Sequence, residues 1–285
     1  MALPYQFRRV TLADRPAMLS ICATVWEGDD YLPRYFDRWV AAEGGQFTAL
    51  ELDGRVVALA KLSRHARGEY WLEGIRVHGE YRGRGLAAAL HDYHLALWKQ
   101  LDERGALRLL TGDPGIIKLC ERTGFRPLFH HHFAEAEALD APHAFQPIRS
   151  SEAERAFTLI THSPAWAEWH GLCDLGWKWR ELTPEFLGER LAAGAVYHWR
   201  EWQAALLIRD AIHDDDQPGD LLVVQFPAVG ETDRWDFLAD ARALAHALDK
   251  RKITWAIPID LRAELPRAGY ALAWDETETC FEIRQ

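Results

Sequence analysis

The sequence predicts an α/β protein with a mixed sheet, built from two tandem copies of one fold. Three observations point there. A strand-like run, Tyr70-Trp71-Leu72-Glu73-Gly74-Ile75-Arg76-Val77, meets a glycine-rich turn that opens a helical pattern. A short apolar run, a second helical stretch and a Gly-Phe pair follow in order. The second half of the 285-residue chain repeats that order in outline.

Each element has its own signal. Asp29-Asp30-Tyr31-Leu32-Pro33 lies between two helical patterns and reads as a loop, with Phe36 and Trp39 following it. Residues 47–60 hold two strand-like runs around Asp53-Gly54, a strong hairpin signal. After the turn, apolar residues at Leu86, Leu90, Tyr93, Leu97 and Leu101 predict a helix, with His91 and His94 on its surface. Ala106–Thr111 reads as a strand and 113–122 as a helix. Gly124 suits the left-handed position after that helix, and Arg122 its last turn.

In the second half, 194–208 reads as two strands, Asp220–Phe226 as a strand and Trp235–Leu248 as a helix. Ile253–Ile257 is the next strand, then a short helix through Arg267, Gly269-Tyr270, and a last strand at Cys280–Ile283. Asp214-Asp215-Asp216 before Pro218-Gly219 reads as a solvated hairpin loop. Pro142 and Pro147 interrupt the pattern, so the expected domains are 1–143 and 144–285.

The turn is Tyr81-Arg82-Gly83-Arg84-Gly85-Leu86-Ala87. A glycine-rich turn at a helix N-terminus presents free backbone N–H groups where the helix dipole favours an anion. Gly83 and Gly85 let that backbone approach a phosphate, and Arg82 and Arg84 add donors and charge. No Lys-Ser or Lys-Thr follows, which excludes a Walker loop. The spacing is not Gly-x-Gly-x-x-Gly, which argues against a dinucleotide fingerprint. The second half has Pro227–Arg234 at the equivalent place, with one glycine and with carboxylates where a pyrophosphate would sit.

The pattern Arg82-x-x-Gly85-x-Ala87 resembles the acyl-CoA loop of the GNAT superfamily of N-acetyltransferases. The helix leading into Gly124-Phe125 resembles that superfamily's closing signature. The resemblance implies two tandem GNAT-like acyl-CoA N-acyltransferase folds, the second degenerate and not expected to bind coenzyme A. It implies acetyl-CoA as co-substrate, with Ile75, Val77, Arg82, Gly83, Arg84, Gly85, Leu86, Ala87 and Asp113 at the cofactor. Backbone amides around Val77 and His78 would face the acetyl group. Asp113 has a second reading as an N-cap before Pro114.

Acyl transfer to an amine needs a general base for the ammonium, and Glu73 is the candidate. Period 2 places it on one face with Ile75 and Val77. Leu72–Val77 resembles a stretch of aminoglycoside 6′-N-acetyltransferases in which a strand glutamate points into the acceptor site. Pairing of Glu73 with Arg76 or solvent is equally open. Where the family commonly has a tyrosine acid for the leaving thiolate, this chain has Cys120, read either as that acid or as a small buried residue. Asp29, Asp30 and Tyr31 fall where the family's acceptor loop lies. Together with Trp39 they resemble the histidine N-acetyltransferase-like branch, which implies the α-amine of a free amino acid.

Composition narrows the alternatives. The net charge is −10, nearly all of it after residue 145, and no basic stripe suits nucleic acid. No apolar run approaches a membrane span, and the first residues lack a signal-peptide core. Cys22, Cys120, Cys173 and Cys280 have no paired spacing, so a cytoplasmic chain with reduced thiols is expected, as monomer or homodimer. His130-His131-His132 alternates faces along a strand, so no metal is expected. Trp166, Trp169, Trp177, Trp179, Trp199 and Trp202 read as core, with an acceptor pocket or dimer face as alternatives. The expected function is transfer of an acetyl group to a primary amine of a small molecule. A protein or peptide amine acetyltransferase and a non-catalytic acyl-CoA sensor are the rival readings.

Overall fold

A computed structural model of the chain describes residues 5–101, 104–210 and 219–285. The Asp214–Asp216 loop therefore lies outside the described residues. Two compact units emerge: Met1–Arg126 with Phe281–Gln285, and Pro127–Cys280. The sequence boundary at 143/144 falls inside the second unit. The first unit is completed by the chain's last five residues, and the long strand after Gly124-Phe125 belongs to the second.

In the first unit, β1 (Tyr5–Arg9) leads to α1 (Arg15–Cys22) and α2 (Leu32–Ala41), then to β2 (Gln46–Leu52), β3 (Arg55–Ala66) and β4 (Glu69–Val77). α3 (Leu86–Lys99), β5 (Ala106–Thr111) and α4 (Pro114–Thr123) follow. The sheet runs β1-β2-β3-β4-β5, and β1 to β4 pair antiparallel. The β2–β3 turn is Asp53-Gly54 at φ 51° and 75°, the two left-handed residues that a two-residue hairpin demands. β4 and β5 pair in parallel, as two strands joined through a helix must.

α3 departs from its apolar letters. Its buried residues are Leu86, Leu90, His91, His94, Leu95 and Trp98, whereas Leu101 is exposed. The two histidines are therefore core residues, not surface ones. Each satisfies one ring nitrogen on a hydroxyl: His94 Nε2 lies 2.8 Å from Thr48 Oγ1 and His91 Nε2 lies 2.9 Å from Thr123 Oγ1. Burial pushes their pKa values down, to about 3 for His94 and about 4 for His91, so both are neutral. The stripe they complete packs Leu86 and Leu90 with Leu50, Val57 and Ala60, and Trp98 with Leu107 and Phe125. Burying each large apolar side chain contributes roughly 1.5–3 kcal/mol.

The C-terminal residues are fixed to the first unit by charge as well as by Phe281 and Ile283. Arg108, 1% exposed on β5, donates to Glu69 at 3.0 Å and to Glu282 at 2.7 Å.

In the second unit, β6 (Arg126–Glu137, all but its first residue) and β7 (Phe145–Pro147) are followed by α5 (Ala153–Thr161) and α6 (Pro164–Glu168). A small hairpin, β8 (Leu172–Asp174) and β9 (Trp179–Glu181), precedes α7 (Pro184–Ala192). β10 (Val196–Trp199), β11 (Ala204–Asp210), β12 (Leu221–Ala228), α8 (Arg234–Ala247) and β13 (Lys252–Pro258) repeat the order of the first unit. β14 (Ala271–Leu272) and β15 (Glu278–Arg284), whose last residues enter the first unit, end the chain. The sheet order here is β7-β10-β11-β12-β13-β6, with β12 and β13 parallel. The stretch before Gly269 is a 3-10 helix, Ile259–Ala268, which contains Pro266.

Candidate active site

The ladder between β4 and β5 is short. It covers Glu69↔Ala106, Tyr70↔Leu107 and Trp71↔Arg108, although β4 continues to Val77 and β5 to Thr111. Past Trp71 the two strands part, leaving the β5-facing edge of β4 outside that ladder. Such an opening offers backbone N–H and C=O groups to an extended ligand.

At the end of β4 the chain forms a 3-10 turn, Gly79–Tyr81, then the glycine-rich loop and α3. Gly83 and Gly85 have φ of 74° and 78°, and a Cβ built on either meets nothing within 4 Å. These are left-handed residues facing open space, the form a phosphate cradle takes. The first helical bond runs from Ala89 N–H to Gly85 C=O, so the amides of Leu86, Ala87 and Ala88 precede the helical ladder. Both arginines brace the loop through main-chain carbonyls. Arg82 donates to Thr24 C=O at 2.7 Å and Val77 C=O at 3.3 Å, and Arg84 to Glu80 C=O at 3.1 Å. Both remain exposed on the loop and keep their charge beside the free amides. The cradle fits a pyrophosphate.

Three of the site residues named from the sequence are engaged within the chain. His78 N–H donates to Val57 C=O at 2.9 Å, so this amide is engaged by β3. Asp113 caps α4, accepting from Gly115 N–H at 2.7 Å and Ile116 N–H at 2.9 Å through one oxygen. Cys120 is completely buried among Leu107, Leu109 and Phe125, and burial pushes its thiol up to about 12. A thiol with no exposed surface fits the second of its two readings, a small buried residue.

Glu73 sits two residues beyond the last β4–β5 pair. Its carboxylate accepts from Ser63 Oγ at 2.5 Å. A β-bulge follows at once: Lys61 pairs with Glu73 and Leu59 with Arg76, one extra residue on β4, with Gly74 at φ 65°. The bulge breaks the alternation that placed Glu73 on one face with Ile75 and Val77. A Cβ at Gly74 would stand 2.5 Å from the Trp39 ring, so this turn also seats α2 against the strand.

Arg76, which the sequence reading treated only as a partner for Glu73, organises the rest. Its guanidinium donates to Asp30 at 2.7 and 3.2 Å, and the Asp30 side chain is fully buried. Asp30 also accepts from Leu32 N–H at 3.1 Å. Its carboxylate is thus held inside the chain and is not free for an acceptor ammonium; Asp29, by contrast, is exposed. Arg76 also lies over the rings of Trp26 (4.4 Å) and Tyr31 (5.1 Å). Tyr31 has its pKa raised by burial, against a lowering from Arg76 and a smaller raising from Glu73. Glu73, Tyr31, Asp30 and Arg76 are thus brought together, with Lys61 over the Trp39 ring at 5.0 Å. The missed members are Ser63, Lys61, Trp26 and Arg76, joined through strand register and loop packing that no local motif encodes.

Residues 15–125 match the model of the Acetyltransferase (GNAT) family. The first half of this chain is thus similar to the GNAT acetyltransferases over these residues. The whole chain has the tandem GNAT-like fold. It superposes over 99% of its length on 97% of a GCN5-related N-acetyltransferase from Sphaerobacter thermophilus, at TM-score 0.66 and 14% identity. A putative acetyltransferase from Thermoplasma acidophilum matches 98% of this chain over 100% of its own, at TM-score 0.60 and 18% identity. A tandem GNAT protein from the clavulanic acid biosynthesis pathway matches at TM-score 0.56 and 13% identity, 98% of each chain being covered. No curated protein matches the sequence.

The second unit differs at the equivalent place. Its strand β12 leads through Val229–Asp233 into α8, whose first residue, Arg234, is buried and paired with Glu168 at 3.1 Å. The histidine run turns to separate partners: His130 to Thr279 Oγ1 at 2.8 Å, His132 to Glu276 C=O at 3.0 Å, with His131 buried. Among the described residues no three His, Cys, Asp or Glu side chains group to hold a metal. Trp169, Trp179 and Trp199 are core, whereas Trp177 is exposed. Among the described residues no helix is long and apolar enough to cross a membrane.

Proposed function

We propose that this GNAT protein transfers the acetyl group of acetyl-CoA to the primary amine of a small molecule, a free amino acid being the first class to test. The observation that supports it best is the position of Glu73: beyond the last β4–β5 pair, on the strand that ends in the cradle. The Gly83–Ala87 backbone with Arg82 and Arg84 would hold the pyrophosphate, and the parted β4 edge would take the pantetheine arm. Acetyl-CoA supplies an activated thioester.

The chain's own residues then do three things. Glu73, oriented by Ser63, accepts the proton that an ammonium must lose before its nitrogen attacks. Arg76, anchored on Asp30, fixes the Trp26–Tyr31 loop as the wall of the acceptor side. The bulge at Gly74 turns the strand, so that its backbone edge and the Glu73 carboxylate meet at one opening. Positioning of two substrates in this way supplies much of an acyl-transfer rate.

The test is acceptor-dependent release of free thiol from acetyl-CoA across amino acids, polyamines, amino sugars and N-terminal peptides. Turnover with a small amine and none with peptides supports the reading. Turnover with peptides alone moves the acceptor to a protein N-terminus. Acetyl-CoA binding without turnover on any amine favours a sensor.

A further inference from the structure

The second unit has a strand opening of its own. β12 and β13 pair in parallel only as far as Val224↔Trp255, whereas β12 runs to Ala228 and β13 to Pro258. Where they part lies a cavity lined by Gln225 and Pro227 of β12, Ala256 of β13, and Trp169, Asp174 and Trp179. It has room for about one water-sized molecule.

Four of the lining side chains are 1–3% exposed, and each has a polar atom without a hydrogen-bond partner. Two are acceptors, Asp174 Oδ2 and Gln225 Oε1; two are donors, the Nε1–H groups of Trp169 and Trp179. Their orientation is fixed from behind. Gln225 Nε2 donates to Asp174 C=O at 3.0 Å, which leaves Oε1 as the free end of the amide. Asp174 Oδ1 accepts from Gly176 N–H at 2.5 Å, which leaves Oδ2. The indoles stack at 5.0 Å and 16°. Four unmet buried groups on residues that line one small space would together cost several kcal/mol if nothing joined them.

We infer that this cavity is a binding site for a single ordered water, which donates to Asp174 and Gln225 and accepts from Trp169 and Trp179. Two acceptors with two donors match water's own pair of each. An ammonium ion has no lone pair for the indoles, and a pantetheine arm is far too large for the space. The second unit's opening is thereby closed from within by its own side chains, joined through one bridging molecule. This inference does not rest on the proposed acyl transfer.

The test is a crystal structure of the full chain, grown without ammonium salts, of the native protein and of Trp179→Phe and Gln225→Leu. The native density is expected to show one peak within about 2.7–3.2 Å of at least three of the four atoms, including one indole nitrogen. Trp179→Phe keeps the ring and removes one donor, so the peak should weaken or move toward Asp174 and Gln225. Gln225→Leu should lose the peak and lower Tm by about 2–4 °C or more. An absent peak in the native protein overturns the inference. So does a peak that contacts neither indole, or one unaffected by both substitutions.

Discussion

Glu73 and Cys120 are separated by burial. Glu73 lies at the strand opening, half-exposed and hydrogen-bonded to Ser63, whereas Cys120 has no exposed surface. Replacing Glu73 with Gln keeps the shape and removes the proposed base. We expect kcat/KM for the identified amine to fall by about 10²–10⁴, with loss of the acidic limb of its pH profile. An unchanged profile would assign the base elsewhere. Cys120→Ala should leave turnover unchanged and lower stability by about 1 kcal/mol, read by urea unfolding. At this scale the sequence showed which residue types the chemistry needs and not who holds them. Asp30 looked free because its partner, Arg76, lies 46 residues away across the bulge.

α3 shows how far a pattern of letters reaches. Leu86 and Leu90 were legible as core. His91 and His94 were not, because the hydroxyls that meet them, of Thr123 and Thr48, come from other elements. Their depressed pKa values fix the sign of a pH effect. Below the usual 6.5 the unfolded chain takes up protons that the folded chain refuses, so their stabilisation is complete above pH 6.5. It is lost as pH falls toward about 4 for His91 and about 3 for His94. The variant His94→Gln should therefore lose about 2 kcal/mol less than the native protein between pH 7 and pH 5, measured by denaturant midpoints. Equal losses would mean that His94 is not held neutral. The strand exchange was invisible for a related reason. Residues 281–285 join β5 through Arg108 and its two glutamates, a match no local motif announces. Glu282→Ala leaves Arg108 short of one buried partner and should cost about 3–5 kcal/mol by chemical unfolding. A cost near zero would show that the C-terminal residues do not hold the first unit.

The repeated order of elements was legible in the sequence because each copy announces its strand, turn and helix. Two things were not: the precise residues at which the compact units divide, and the small β8–β9 hairpin that lines the second unit's cavity. The difference between the two loops was readable in the sequence. Gly83 and Gly85 face open space before α3, whereas the second unit begins α8 with a buried, paired Arg234. The account thus assigns one cofactor site to a chain of two similar folds. Calorimetric titration with acetyl-CoA, of the native chain and of Gly85→Glu, tests this directly. The substitution places a carboxylate at a left-handed position inside the cradle, at a backbone cost of roughly 1–2 kcal/mol. The predicted result is one acetyl-CoA per native chain and none on the variant. No binding to the native chain, a second site, or a variant that binds as tightly as the native chain would contradict the account.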